Sequence, residues 1–297
     1  IWLLAAVGLV ILSILISVRK WQVLLQAQGM SVPWAELWKA YWVGLFFNNF
    51  LPSSIGGDAV RILWVGKRGR DVSGAAASVI MERIIATAGL ALTGFLGAGL
   101  LASPARQTLI LFSILLAASV VLAGLVLGMP IPAKVGQGKG KVGRFLGDLA
   151  GHGRRLRGQG GKLLVVLFFS VVFQVTVVAV NVCVFKALHL DVSIVEALFI
   201  IPVTSAVAMI PLGVNGYGLR EGAYVAGLSL YHISSGAAFT SSILFAFLVS
   251  LCSLYGGLVW LVQKREGKDV RFKCVPVGNP RDESREQLLP GSLAGRR

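Results

Sequence analysis

The sequence is short of the residues that most soluble proteins need for solubility and chemistry. Only 14% of its residues are charged, and 13 acidic residues stand against 28 lysines and arginines. Three cysteines and three histidines are scattered along 297 residues, so they give neither a disulfide framework nor the spacing of a metal site. A soluble domain carries more charge than this. The composition argues against a soluble enzyme, and we expect no metal and no cofactor.

Apolar residues, in contrast, make up 56% of the chain and fall into runs of the length that crosses a bilayer. The net charge of +15 is concentrated between those runs, which is typical of loops that face the cytoplasm and its anionic leaflet. No nucleic-acid-binding fold accompanies the charge, so a nucleic-acid partner is not expected. We predict an all-α, polytopic membrane helical bundle that crosses the cell membrane several times.

One stretch between two apolar runs combines groups that a lipid-facing helix excludes. Residues 48–61 hold two amides, Pro52, a glycine pair, Asp58 and Arg61. Irregular backbone survives at membrane depth only inside protein or beside a wet cavity, and ionisable groups there usually mark a site. The flanking runs, Leu37–Leu51 and Ile55–Val65, are each too short to span. They predict a re-entrant hairpin, with a single broken span as the alternative.

The same pattern returns in the second half of the chain. Three residues match three others at one offset: Pro52, Gly57 and Arg61 against Pro211, Gly216 and Arg220. Apolar segments interrupted by Gly and Pro at corresponding places in two halves are typical of a transporter binding site. Two surface loops rich in turn residues are the alternative interpretation.

The positive-inside rule gives a topology that agrees with this repeat. The basic segments are placed in the cytoplasm, and the turns that contain Arg106 and Asp191 are placed outside. The two halves then have inverted topology, with two oppositely oriented re-entrant hairpins. After a first span that ends at Val18, the segment Trp21–Gln28 is expected to lie in the interface, the depth that Trp prefers.

Four regions follow from this topology. Residues 1–129 form a first transmembrane half, 130–162 a basic cytoplasmic linker, 163–263 a second transmembrane half, and 264–297 a disordered cytoplasmic tail. The linker is interpreted either as a plain connection or as an amphipathic segment on anionic lipid, although its many glycines weaken a helix.

Two polar features mark the second half. Ser193 and Glu196 have the spacing of a capping box, which predicts a helix start. Gln174 and Asn181 share one helical face, where they line a cavity or bond neighbouring helices.

The predicted substrate site combines the tips of the two hairpins with Glu82 and Arg83. These two charged residues lie in the span that follows the first hairpin. The residues of the site are Asn49, Pro52, Gly56, Gly57, Asp58, Arg61, Glu82, Arg83, Pro211, Asn215, Gly216, Gly218, Arg220 and Glu221. Half-helix N-termini and arginine forks suit a phosphate, and glycines admit close approach of the backbone. Asp58 and Glu221 would balance the arginines in an empty site or engage a cationic headgroup. Two alternatives are buried ion pairs that lock the hairpins, and a Glu82–Arg83 pair that reaches the interface.

At these residues the chain resembles the transmembrane, flippase-like region of the lysylphosphatidylglycerol synthetases. The resemblance rests on several short motifs: Arg19-Lys20-Trp21, Asn49-Phe50-Leu51-Pro52, Gly56-Gly57-Asp58 with Arg61, Glu82-Arg83, Ile210-Pro211, Gly216-Tyr217-Gly218 and Arg220-Glu221. It implies an integral protein of a bacterial or archaeal inner membrane that moves lipid, or a domain that serves a lipid-modifying enzyme. Asn215 stands where the family pattern has a second glycine, which leaves the substrate open.

The function expected from these observations is flippase-like transport of a phosphate-bearing lipid, aminoacylated or not, between leaflets. No phosphate-binding loop of the nucleotide-dependent type is found, so transport is passive or coupled to an ion. Only a short polar tail follows Gln263, so we expect no aminoacyl transfer and no enzyme activity. The alternatives are a membrane subunit of a glycosyltransferase system and a non-transporting partner subunit. The expected partners are membrane lipid, the anionic leaflet at the basic linker, and a homo-oligomer or partner enzyme.

Overall fold

The computed structural model describes residues 1–50, 55–69, 71–101, 106–128, 141–210 and 218–265. These residues form ten helices and no strand, which confirms the predicted all-α fold. In chain order the helices are α1 (Trp2–Ala27), α2 (Trp34–Phe50), α3 (Ile55–Gly69), α4 (Val72–Gly99), α5 (Arg106–Gly128), α6 (Lys141–Arg157), α7 (Gly160–Ala187), α8 (Ile194–Ala208), α9 (Leu219–Ser229) and α10 (Ser235–Arg265).

Five of the described helices are long and apolar enough to cross a membrane, namely α1, α4, α5, α7 and α10. The shortest, α5, has 23 residues, which at 1.5 Å per residue is about 35 Å and exceeds a hydrocarbon core of about 30 Å. Its outer surface exposes Val120, Val121 and Leu125. A contiguous apolar surface of this kind marks contact with lipid. The protein is therefore a multi-pass membrane protein, as predicted.

Four of the five shorter described helices occur as two pairs. Helices α2 and α3 have 17 and 15 residues and pack against each other, and α8 and α9 have 15 and 11 and do the same. The capping box of Ser193 and Glu196 at the start of α8 is confirmed. Each helix is shorter than the roughly 20 residues that a span requires. The side from which each pair enters the membrane stays a prediction.

The order long, short, short, long occurs twice, and the two sets are related by packing. The offset that relates Arg61 to Arg220 shifts α1, α2, α3 and α4 onto α7, α8, α9 and α10. Helix α4 packs on α8, and α10 packs reciprocally on α2. Gly97 of α4 lies against the Leu198 carbonyl, and Gly256, at the same offset, lies against the Trp42 carbonyl. The two sets therefore share one mode of packing.

The equivalent helices α1 and α7 run in opposite directions. Lys20 of α1 lies 4.7 Å from the ring centroid of Phe173, and farther along α1 the Gln26 carbonyl accepts a bond from Lys162 Nζ at 3.4 Å. Residue numbers thus rise along one helix where they fall along the other. Equivalent helices that are antiparallel are what inverted-topology repeats produce.

Helices α5 and α6 lie outside this repeat. The basic linker contains α6, which packs on α4 and α5 and buries Leu156 completely. His152 of α6 lies 3.2 Å from Asp71, whose side chain also accepts a bond from the Gly74 N–H at the start of α4. The linker therefore includes a docked helix, in spite of its glycines. The predicted disordered tail lies outside the described residues, except for its first two residues, which end α10.

The interfacial placement of Trp21 is wrong. Helix α1 continues without a break to Ala27, and Trp21 is fully buried with its indole N–H donating to Ser78 Oγ at 2.9 Å. The preference of Trp for the interface applies to side chains that face lipid. Trp21 instead faces the centre of the bundle, where a partner for its N–H comes from α4.

Candidate functional site

The first helix pair is held together at its tip by an amide and two glycines. Asn48 of α2 accepts a hydrogen bond from the Gly57 N–H at 2.8 Å, which satisfies one of the open donors at the start of α3. A Cβ at Gly57 would overlap the Gly44 carbonyl, so the two backbones meet here. One turn further along α3, Asp58 and Arg61 lie on one helical face.

Arg61 is deeply enclosed, with only 3% of its surface exposed. Its Nη2 donates to Glu82 Oε2 of α4 at 2.5 Å, and its Nη1 donates to Asp58 Oδ1 at 3.4 Å. The rings of Trp21 and Tyr41 each lie 4.3 Å from its guanidinium carbon. The guanidinium is thus oriented by aromatic rings from α1 and α2 and by carboxylates from α3 and α4.

Arg83 joins the same cluster from the next position of α4. Its Nε and Nη2 donate to the two oxygens of Asp58 at 2.8 and 2.9 Å, a bidentate pair. Its side chain is 55% exposed, so the pair is open on one side. Glu82 and Arg83 therefore belong to the site as partners of Arg61 and Asp58.

The second helix pair carries its own charged pair at the equivalent place. Arg220 Nη2 donates to Glu221 Oε1 at 3.0 Å, and the other Glu221 oxygen accepts a bond from the Gly218 N–H. Gly218 has φ +88°, a conformation that favours glycine. The position equivalent to Glu82 of α4 is Ser241 of α10, which has no carboxylate. In the second half the carboxylate that pairs with the arginine is therefore Glu221, which lies on α9 next to Arg220.

The two halves meet at a cavity of about 300 Å³ that is lined by three arginines, Arg61, Arg83 and Arg220. Its wall includes the amides of Asn48 and Asn49, the Ser250 hydroxyl, and the rings of Tyr41, Phe173 and Phe245. The described lining contains no carboxylate, although each of the three arginines is paired with one, from Asp58, Glu82 or Glu221. Both halves therefore contribute guanidinium groups to the cavity wall.

The predicted site residues divide into four groups. Asn49, Arg61, Arg83 and Arg220 line the cavity, and Asp58, Glu82 and Glu221 hold the arginines. Gly56, Gly57 and Gly218 lie at or just before helix starts and are not among the described lining residues. Pro52, Pro211, Asn215 and Gly216 lie outside the described residues. Arg61 and Arg220 thus both line the cavity and form ion pairs, whereas Asp58 and Glu221 are not among its described lining residues. That these pairs lock the hairpins stays a prediction.

Several residues that shape the site were missed. Trp21, Tyr41 and Phe173 are aromatic residues within apolar runs, where nothing in the sequence separates a site residue from a core residue. Lys20 is also buried, at 2% exposure, behind Phe173. Asn48 could have been found, because two adjacent amides in an aromatic run are themselves a signal.

These features define a multi-pass membrane protein with a buried, charged site between two repeated halves. The model of the family described as "Lysylphosphatidylglycerol synthase TM region" matches residues 1–259. The chain therefore belongs to this family, and the resemblance of its motifs is confirmed. Comparison with curated proteins and with solved structures gave no match. The protein is a membrane protein of a lipid-related family.

Proposed function

We propose that this protein moves an anionic, phosphate-bearing lipid between leaflets, and that the headgroup occupies the three-arginine cavity. The observation that carries the proposal is the convergence of Arg61, Arg83 and Arg220 from both halves on one cavity. Guanidinium groups bind phosphate as planar forks, and a phosphate is the anion that every phospholipid headgroup presents.

The wall also discriminates against positive charge. An aminoacylated headgroup would bring an ammonium group next to three guanidiniums, whose paired carboxylates are not among the described lining residues. Like charges in a site of low dielectric repel strongly. The proposal therefore narrows the expected substrate to a headgroup whose charge is that of its phosphate.

The ion pairs give a route for the phosphate to bind without exposing bare charge. In the empty site three carboxylates balance three guanidiniums: Asp58, Glu82 and Glu221 against Arg61, Arg83 and Arg220. Removing one partner from a buried ion pair costs about 3–5 kcal/mol, so breaking a pair without supplying another anion is unfavourable. An incoming phosphate that takes the place of Asp58 at Arg83 exchanges one anion for another.

Asp58 is the carboxylate best placed for this exchange. Its contact with Arg61 is long, at 3.4 Å, whereas Glu82 holds Arg61 at 2.5 Å. Its other partner, Arg83, is half exposed and thus within reach of a ligand. Glu82 keeps Arg61 in place while Asp58 and Arg83 open, which leaves the core of the site intact.

The proposal is tested by translocation of tail-labelled phospholipids in liposomes that contain the purified protein. Arg83→Gln and Arg220→Gln each remove one guanidinium, from different halves, and Arg19→Gln is the control because Arg19 is exposed and bonds Gln22. A hydrogen bond from a charged group contributes about 1.5–3 kcal/mol, so each site variant should lower the rate by roughly tenfold or more.

The lipids should also be recovered chemically unchanged, as expected of a transporter. Equal rates for anionic and zwitterionic lipids, or wild-type rates in both site variants, would contradict the proposal. A covalently altered lipid in the products would favour an enzyme instead.

A further inference from the structure

A second cavity, of about 240 Å³, adjoins the three-arginine cavity in the second half of the protein. Its polar wall is formed by Asn181, Thr204, Ser205 and Tyr224 from α7, α8 and α9. Arg220 and Phe245 line both cavities. Arg220 and Phe245 therefore lie between the three-arginine cavity and a second cavity whose other polar lining residues are neutral.

The polar groups of this second cavity are buried and already ordered. Asn181, Thr204 and Tyr224 are each no more than 2% exposed. The Tyr224 hydroxyl donates to Asn181 Oδ1 at 2.5 Å, and Asn181 Nδ2 donates to the Val177 carbonyl at 2.9 Å. Thr204 Oγ1 donates to the Ile201 carbonyl at 2.9 Å. The hydroxyl protons of Tyr224 and Thr204 are thus engaged, so the oxygens of Tyr224, Thr204 and Asn181 offer acceptor lone pairs, and Asn181 Nδ2 carries a second N–H besides the one bonded to Val177.

Acceptors without negative charge suit a ligand hydroxyl better than a ligand ammonium. An ammonium group here would lie beside Arg220, which lines the cavity, while Glu221, the partner of Arg220 at 3.0 Å, is not among the described lining residues. A hydroxyl brings a proton for these acceptors and no net charge. Buried groups that hydrogen-bond a ligand hydroxyl discriminate strongly against ligands that lack it, because the site then loses those bonds.

We infer that this second cavity receives the uncharged, hydroxyl-bearing part of a lipid headgroup, such as glycerol or a sugar, while Arg220 holds the phosphate of the same headgroup. The inference rests on the proposed transport function and names its substrate class. Arg220 then marks the junction of the two parts of the headgroup, and Tyr224 and Thr204 are specificity-determining residues.

The test compares three tail-labelled lipids in the same liposomes: phosphatidic acid, phosphatidylglycerol and phosphatidylinositol. The wild-type protein should move the two hydroxyl-bearing lipids faster than phosphatidic acid. Tyr224→Phe and Thr204→Val should each reduce that preference by about two- to tenfold, the worth of one neutral hydrogen bond. Tyr255→Phe is the matched control, because Tyr255 is exposed and stacks on Trp42 away from both cavities.

The outcomes separate the inference from the transport proposal. Movement of all three anionic lipids at one rate would overturn the inference and leave anionic transport standing. A hydroxyl preference that survives in both folded variants would also overturn it, since other residues would then read the headgroup. If none of the three lipids moves, the transport proposal itself fails, and the inference fails with it.

Discussion

Replacing Glu82 by glutamine should destabilise the protein through Arg61 and not through loss of packing. The Glu82 and Arg61 side chains are 6% and 4% exposed and their contact is 2.5 Å, so the pair is buried and close. Breaking such a pair costs about 3–5 kcal/mol when one charge is left without compensation. Glutamine keeps one acceptor, and Arg61 keeps Asp58 and two aromatic rings. We therefore expect a loss at or just below the lower end of that range, about 2–3 kcal/mol.

The reverse change should cost more. Arg61→Met keeps an apolar stem between Trp21 and Tyr41 but leaves the Glu82 carboxylate buried without its guanidinium. Its cost should reach the upper part of the range, about 4–5 kcal/mol. The double variant removes both charges, so it should be less destabilised than the sum of the two single changes, by about 1–3 kcal/mol.

The assay is equilibrium unfolding in mixed detergent micelles, with the seven tryptophans of the chain as the fluorescent reporters. Arg19→Gln is the control, because Arg19 is exposed and bonds the side chain of Gln22. An exposed contact of that kind contributes no more than about 1 kcal/mol. If the Arg61 and Glu82 changes are additive within about 0.5 kcal/mol, the pair is not coupled and the reasoning is refuted.

Two further predictions concern backbone contacts. Gly256→Ala places a Cβ on the Trp42 carbonyl and should destabilise the protein by about 1–3 kcal/mol, whereas Gly124→Ala, with open space around it, should be neutral or stabilising in the same unfolding assay. Stability equal to wild type in Gly256→Ala would show that α2 and α10 are not in close contact. Asn48→Asp keeps the acceptor for the Gly57 N–H, so it should fold normally, but it adds a carboxylate to the cavity wall and should slow anionic lipid translocation several-fold. An unchanged rate in folded Asn48→Asp would place the lipid path elsewhere.

The helix pairs and the two principal arginines could be predicted from the sequence because their signals are local. Short apolar runs around Pro and Gly define the pairs, and the matched spacing identifies Arg61 and Arg220. The offset between these arginines pairs α1 with α7, and the inverted topology from the positive-inside rule predicts that these two helices are antiparallel. Local sequence patterns and the internal repeat therefore predict most of the fold.

The surroundings of Arg61 could not be predicted, because they are brought together from distant positions. Tyr41 lies in the apolar run of α2, and its periodicity indicates a helix face without saying what that face contacts. Trp21 follows Arg19-Lys20, and its indole was expected in the interface because Trp prefers that depth. Only the packing of α1 against α4 shows that Trp21 is buried, so tertiary contacts decide its position.

The linker forms a helix that its sequence does not predict. Its glycines predict a weak helix, yet Gly153 lies directly against the Val126 carbonyl, where a Cβ would not fit. Propensity is a weak prior that docking on neighbouring helices overrides. The residue type that lowers helix propensity is here the one that permits the contact.

The central claim is that an anionic headgroup enters the three-arginine cavity, and labelling of a single cysteine there tests it most directly. Ser250 lines the cavity, so Ser250→Cys would be made in a background with Cys183, Cys252 and Cys274 replaced by alanine, with the exposed Ser229→Cys as control. We predict that a charged, water-soluble maleimide labels position 250, and that short-chain phosphatidic acid slows this labelling while phosphatidylcholine does so less. Labelling at position 229 should not change with either lipid. If position 250 is sealed from the reagent, or if both lipids protect it equally, the cavity is not the headgroup site.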